Sequence, residues 1–174
     1  IDQVEYGSSK VDISWNRSPD GEKDVDFITQ LNPDSLSVQT AFAEKVSGIQ
    51  LEWYLNDWTR TTKTIDYAIE SVNERGGKTE VELKRIGAMG MPIDLGVLYK
   101  DGGQEMHYIP LQMMFGEKPG CEKNCIKDRD WAWARPTYAL TIDAPLSEIE
   151  QISIDPSGFM ADIDLSNNVF ETTN

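Results

Sequence analysis

The sequence predicts a mainly β protein: an antiparallel, Ig-like β-sandwich preceded by a short α-helical segment. Three observations carry this expectation. Apolar residues recur at helical spacing up to Arg60 and at alternate positions from Thr61 onward. The alternating runs are joined by Arg75-Gly76-Gly77 and Asp101-Gly102-Gly103, whose glycines tolerate the positive φ that closes hairpins. About six or seven short strands follow one another with turn signals between them and no parallel α/β pattern, which is the habit of a sandwich.

Residues 1 to 31 are polar and irregular, with one alternating run at Val11, Ile13 and Trp15 that reads as a strand. The turn-prone SPDGEKD follows, then a short strand through Val25 and Phe27. Pro33, Asp34 and Ser35 supply a helix start, because a side-chain oxygen there caps free backbone N–H groups, and the helix is expected to run to Ser47 and stop at Gly48. Leu51, Tyr54, Leu55 and Trp58 then fall at i, i+3, i+4 and i+7, on one face of a second short helix. Such a face is too apolar to leave in water, so it is expected to pack on the sandwich or to meet a partner. Strands are expected around Ile65–Ile69, Val81–Leu83 and Ile93–Tyr99, and over 104–112, 137–143 and 149–154. The domain division that follows is an N-terminal segment, 1–62, with an irregular and strand part and two short helices, and a sandwich domain, 63–174. At 174 residues the chain is long enough for one domain plus an appendage.

Composition excludes several partners. Sixteen basic residues against thirty acidic ones give a net charge of −14, which repels the phosphate backbone that nucleic-acid binders neutralise and disfavours anionic membranes. No apolar run approaches the roughly 18 residues needed to cross a bilayer, so no membrane insertion is expected. The chain begins with Ile1 and shows no charged-then-apolar leader, which reads as a processed or excised piece of something longer. The two cysteines, Cys121 and Cys125, lie in the polar loop GCEKNC; a disulfide between them is favoured over a metal site, because His107 is the only histidine. Oxidised cysteines fit a periplasmic or secreted setting.

Candidate chemistry is sparse. No catalytic residue is expected: a zinc peptidase needs H-E-x-x-H, and one histidine cannot supply two. His107, in QEMHYIPL, reads as a surface or half-buried residue rather than a general base, and no G-x-S-x-G elbow is present. Gly87-Ala88-Met89-Gly90 lacks a working carboxylate and reads as a loop before Pro92. Asp162, Asp164, Ser166, Asn167 and Asn168 place oxygens at alternate positions, a weak calcium candidate without the central glycine or distal glutamate of an EF-hand; turns capped by Asp and Asn are the stronger reading. Trp131 and Trp133 are two apart and would share a strand face beside Tyr138, a weak candidate for a sugar platform, core being the commoner use of such rings.

The stretch AEKVSGIQLEWYLNDWTRTTKTIDYAI, from Ala43 to Ile69, joins an aromatic-rich helix directly to a strand. It closely resembles the end of the helical region of aminopeptidase N-like zinc metallopeptidases, the gluzincins. Lys84-Arg85-Ile86-Gly87, Met91-Pro92-Ile93-Asp94, Tyr99-Lys100-Asp101-Gly102, Tyr108-Ile109-Pro110-Leu111 and Ile154-Asp155-Pro156-Ser157-Gly158, followed by Asp162 and Asn167-Asn168, are similar to the C-terminal module of bacterial members. The likeness covers 41 to 170, whereas residues 1 to 35 depart from the family's helical lead-in. It implies a parent enzyme that removes amino-terminal residues from peptides with one zinc, held upstream of Ile1, and a structural role for this chain in buttressing that upstream catalytic domain. No catalytic or zinc-binding residue carries over. The face of Leu51, Tyr54, Leu55 and Trp58 would then meet the catalytic domain, or favour self-association when exposed. The alternative is a secreted β-sandwich module that binds carbohydrate or protein.

Overall fold

The computed structural model describes residues 3–6, 9–12, 36–116 and 125–172. The chain divides into two compact units, Ile1–Ala43 and Glu44–Asn174. In the first, β1 (Gln3–Tyr6) and β2 (Ser9–Asp12) pair antiparallel, from Gln3 opposite Asp12 to Tyr6 opposite Ser9. Ile13, Trp15, the strand expected at Val25–Phe27 and the helix start at Pro33–Ser35 lie outside the described residues. Helix α1 (Leu36–Ser47) ends where the sequence indicated: Gly48 takes φ +70° and its N–H reaches the Glu44 carbonyl.

In the second unit, Glu44 Oε1 accepts the N–H groups of Leu51 and Glu52 at 2.7 and 3.1 Å, which caps α2 (Glu52–Arg60) with a carboxylate where the helix dipole favours one. Seven residues after Arg60 the chain enters a strand at Tyr67. The helix placed with the N-terminal segment by sequence thus falls in the same compact unit as the sandwich.

The sandwich holds a three-stranded sheet in the order β3-β4-β8 and a five-stranded sheet in the order β10-β9-β5-β6-β7. These strands are β3 (Tyr67–Arg75), β4 (Lys78–Arg85), β5 (Ile93–Tyr99), β6 (Gln104–Ile109), β7 (Cys125–Lys127), β8 (Thr137–Ile142), β9 (Ile149–Ile154) and β10 (Val169–Glu171). All neighbours pair antiparallel except β6 and β7, which run parallel. Between β3 and β4, Gly76 and Gly77 take φ +63° and +74°, the pair of left-handed residues that a two-residue hairpin turn of the right twist requires.

Alternation puts Val81 and Leu83 of β4, Leu140 and Ile142 of β8, Leu95 and Val97 of β5, and Ile152 and Ile154 of β9 into one core. Strand β6 stops at Ile109, short of the expected 112, because Pro110 has no N–H for the ladder. Beside β1 in the first unit, two strands of the sandwich, β7 and β10, were not expected; each of these two is only three residues long and shows no alternation that sequence could register.

Candidate functional site

The segment joining β4 to β5 shows why its sequence is so constrained. The Asp66 carbonyl accepts from Ile86 N–H and Gly87 N–H, and the Thr64 carbonyl from Met89 N–H. A Cβ on Gly87 would lie 2.3 Å from the Thr64 oxygen, so the two backbones touch there. Met89 is buried in the core, and the Tyr67 hydroxyl accepts Met91 N–H at 2.7 Å while donating to the Met91 carbonyl at 3.2 Å. Gly87-Ala88-Met89-Gly90 is therefore a plug for the sandwich, and its small residues serve close packing.

The aromatic row does not form a platform. Trp131 is 1% exposed, stacked on Tyr138 at 5.2 Å and edge-on to Tyr67 at 5.4 Å, with Nε1 donating to the Arg135 carbonyl. Trp131 forms only an isolated parallel bridge with Leu111, and Trp133 lies in a turn, so the shared strand face assumed from their spacing does not exist. Trp133 instead meets Trp53 edge-on at 5.3 Å, donates to the Gln112 carbonyl at 2.6 Å, and covers Gly90, where a Cβ would sit 2.9 Å from its ring. Sequence spacing gave no hint of Trp53, which is outside the Leu51, Tyr54, Leu55, Trp58 stripe.

That stripe is only half covered. Leu51 sits at the helix N-cap rather than within α2; Tyr54 packs against the core, Leu55 is half-buried, and Trp58 remains 51% exposed, stacked on Tyr54 at 6.0 Å. The expectation of four residues packed on the sandwich is corrected to one firm contact, through Tyr54, with an aromatic ledge beyond it. The helix has nine residues and lies with Trp53 turned to Trp133, which rolls Trp58 outward.

The carboxylates of the calcium candidate are committed to the backbone. Asp162 Oδ2 accepts Tyr67 N–H and its Oδ1 accepts Asp164 N–H, each at 3.0 Å; Asp164 Oδ1 accepts the N–H and hydroxyl of Ser166. Asn167 Nδ2 donates to Asp66 Oδ1 at 3.2 Å, and the carbonyl of the buried Asn168 accepts Ile154 N–H. Among the described residues no group of three or more His, Cys, Asp or Glu side chains is placed to hold a metal ion. The same turns push Phe159, Ile163 and Leu165 into solvent, Phe159 at 92% exposure. Pro156, where this loop begins, also borders a groove of about 300 Å³ on the outer face of the five-stranded sheet, lined by Gly96, Leu98, Gln104, Met106, Gln151 and Ser153.

His107 is neither a surface residue nor a free base. It is 2% exposed, with Nε2 2.7 Å from Glu105 Oε1 and Nδ1 2.8 Å from Asp128 Oδ2. Burial alone would lower its pKa, but the hydrogen bonds and charges of Asp128 and Glu105 outweigh that and hold it above the ordinary 6.5. The Tyr138 phenol is pushed up to about 12, by burial first and by the Asp128 charge second, and its hydroxyl donates to the Arg129 carbonyl at 2.8 Å. Cys125, at the start of β7, is disulfide-bonded, and Cys121 lies outside the described residues. No helix among the described residues is long and apolar enough to cross a membrane. Compared with protein-family models, curated proteins and solved structures, the chain matches none.

Proposed function

We propose that this chain is a non-catalytic structural module of a zinc aminopeptidase-like metallopeptidase, exported to the periplasm or secreted, whose β-sandwich and helical lead-in buttress an upstream catalytic domain of the same polypeptide. The observation that carries this reading is the ledge on α2. Tyr54 is anchored in the sandwich core, and Trp58, stacked on it, is left half in water. A large ring held rigidly at that exposure suits an intramolecular docking surface better than a fold's own core. The surroundings of His107 agree with it, since an imidazolium that donates from both nitrogens to carboxylates offers no lone pair to zinc.

The test uses the 174-residue chain. Purified protein, after mild chelation, should hold no stoichiometric zinc and cleave no aminoacyl reporter. Zinc retained at one per chain, or turnover that survives repurification, overturns the non-catalytic reading. Coexpressing an upstream domain that contains H-E-x-x-H should protect Trp58 from solvent quenching.

A second reading, a protein-binding module, is favoured by the loop carrying Phe159, Ile163 and Leu165, which sets three large apolar side chains outward beside the outer-sheet groove. The carbohydrate form of that reading loses its support with Trp131 and Tyr138 in the core.

A further inference from the structure

We infer that His107 is a proton-dependent clamp on the edge of the five-stranded sheet: its imidazolium fastens β7 and the residues up to Trp131 onto β6, and loss of one ring proton releases that edge while the rest of the sandwich stays folded.

Glu105 and His107 are two apart in β6 and pair with Val97 and Leu95 of β5, so both point to the inner side of the sheet. Asp128 comes from the far side, immediately after β7, where its N–H also donates to the Tyr108 carbonyl at 2.9 Å. The ring therefore spans two chain segments with one carboxylate on each nitrogen. Only the imidazolium can donate at both ends; in the neutral ring one nitrogen presents a lone pair to a carboxylate oxygen less than 3 Å away. Deprotonation also leaves two carboxylates, one at each end of a buried ring, without the cation between them, and water reaches these half-buried groups only in part.

The other groups around this cluster do not replace the lost charge. Tyr99 of β5 is hydrogen-bonded to Glu105, and Tyr138 of β8 lies beside Asp128 with its hydroxyl on the Arg129 carbonyl. Arg129 acts on Tyr138. Leu95 and Ile126, opposite His107 on either side in the sheet, are apolar. The contact that yields is the one to Asp128, because Glu105 shares the β6 backbone with His107 whereas β7 is a three-residue edge strand. The sign follows from the direction of the shift: the clamp is closed below the ordinary imidazole value and opens as pH rises through the higher value held in the fold.

The chain has a single histidine, so one imidazole resonance reports the titration without ambiguity. The experiment follows that resonance by NMR in the full chain, together with hydrogen exchange of 125–131, corrected for the base-catalysed intrinsic rate. The expected result is a midpoint above 6.5, with protection of the Asp128 and Trp131 amides falling at least about tenfold over the same pH interval while β3 and β4 keep theirs. Glu105→Gln should uncouple the two, since a glutamine amide can donate to Nε2 and leave the neutral ring donating to Asp128 through Nδ1; the edge then stays protected at every pH. A midpoint at or below 6.5, protection that ignores the titration, or β3 and β4 opening together with β7 overturns the inference. So does a Glu105→Gln chain that opens as the parent does. If that variant fails to fold, the titration of the unaltered chain still decides.

Discussion

The Asp162 carboxylate, ninety-five residues downstream, accepts the backbone N–H of Tyr67 at 3.0 Å and so closes the first residue of β3 against the far end of the chain. Beside it, Ile163 N–H donates to the Ile65 carbonyl, which makes the C-terminal loop a short extension of the three-stranded sheet. Oxygens whose alternate spacing resembles a calcium loop are occupied in tying one end of the module to the other.

Asp162→Ala should therefore destabilise the sandwich by about 1–3 kcal/mol, the cost of stranding a partly buried N–H. Asp162→Asn, which keeps one acceptor, should lose less. Urea denaturation of both variants, with and without added calcium, checks this; equal stability for Ala and the parent chain would refute it.

Gly87→Ala should be worse than its one methyl suggests. Its Cβ would meet backbone atoms of Thr64, Ile65 and Asp66 at 2.3 to 3.0 Å, and none of these can rotate away. A loss above about 3 kcal/mol, or failure to accumulate as folded protein, is expected.

Two tryptophans should separate core from ledge. Trp131→Ala removes a fully enclosed ring, stacked on Tyr138 and edge-on to Tyr67, and should cost about 3–5 kcal/mol. Trp58→Ala should cost less than about 1.5 kcal/mol, since half of its surface is already in water. Thermal midpoints measured side by side give the order, and a Trp58 effect equal to that of Trp131 would show that α2 is core.

Stability should fall at alkaline pH through Tyr138. Its folded value, raised from 10.0 to about 12, exceeds that of the unfolded chain, so its contribution is intact below pH 10 and is lost as pH climbs toward 12. The loss at the far end of that window is on the order of 2 kcal/mol. Tyr138→Phe should flatten the decline, as read from denaturation midpoints at successive pH values.

How much of this was visible in the sequence depends on where the information lay. Val81, Leu83, Leu95 and Val97 alternate within single strands, and Gly76-Gly77 carries its own turn geometry, so those elements were legible locally. Strand β7 was not, because Cys125-Ile126-Lys127 becomes a strand only by lying parallel to β6 across a long excursion of chain. His107 is the instructive case. Glu105 at i−2 in an expected strand was a usable signal for a same-face carboxylate; Asp128 was not, since nothing local links KDRD to β6. The α2 stripe gave the helix correctly and its burial only in part, because spacing defines a face but not how far a nine-residue helix rolls.

The seating of Trp131 between Tyr67, edge-on, and Tyr138, stacked, gives the chain an internal optical gauge. Both phenols sit well within the range over which tyrosine passes excitation to indole, so Trp131 emits from a dry environment fed by two donors that part from it on unfolding. Trp58 emits from a wet one throughout. Of the five tryptophans, Trp131 alone is buried in the core among the described residues, so loss of the blue component during denaturation reports melting of the sheets.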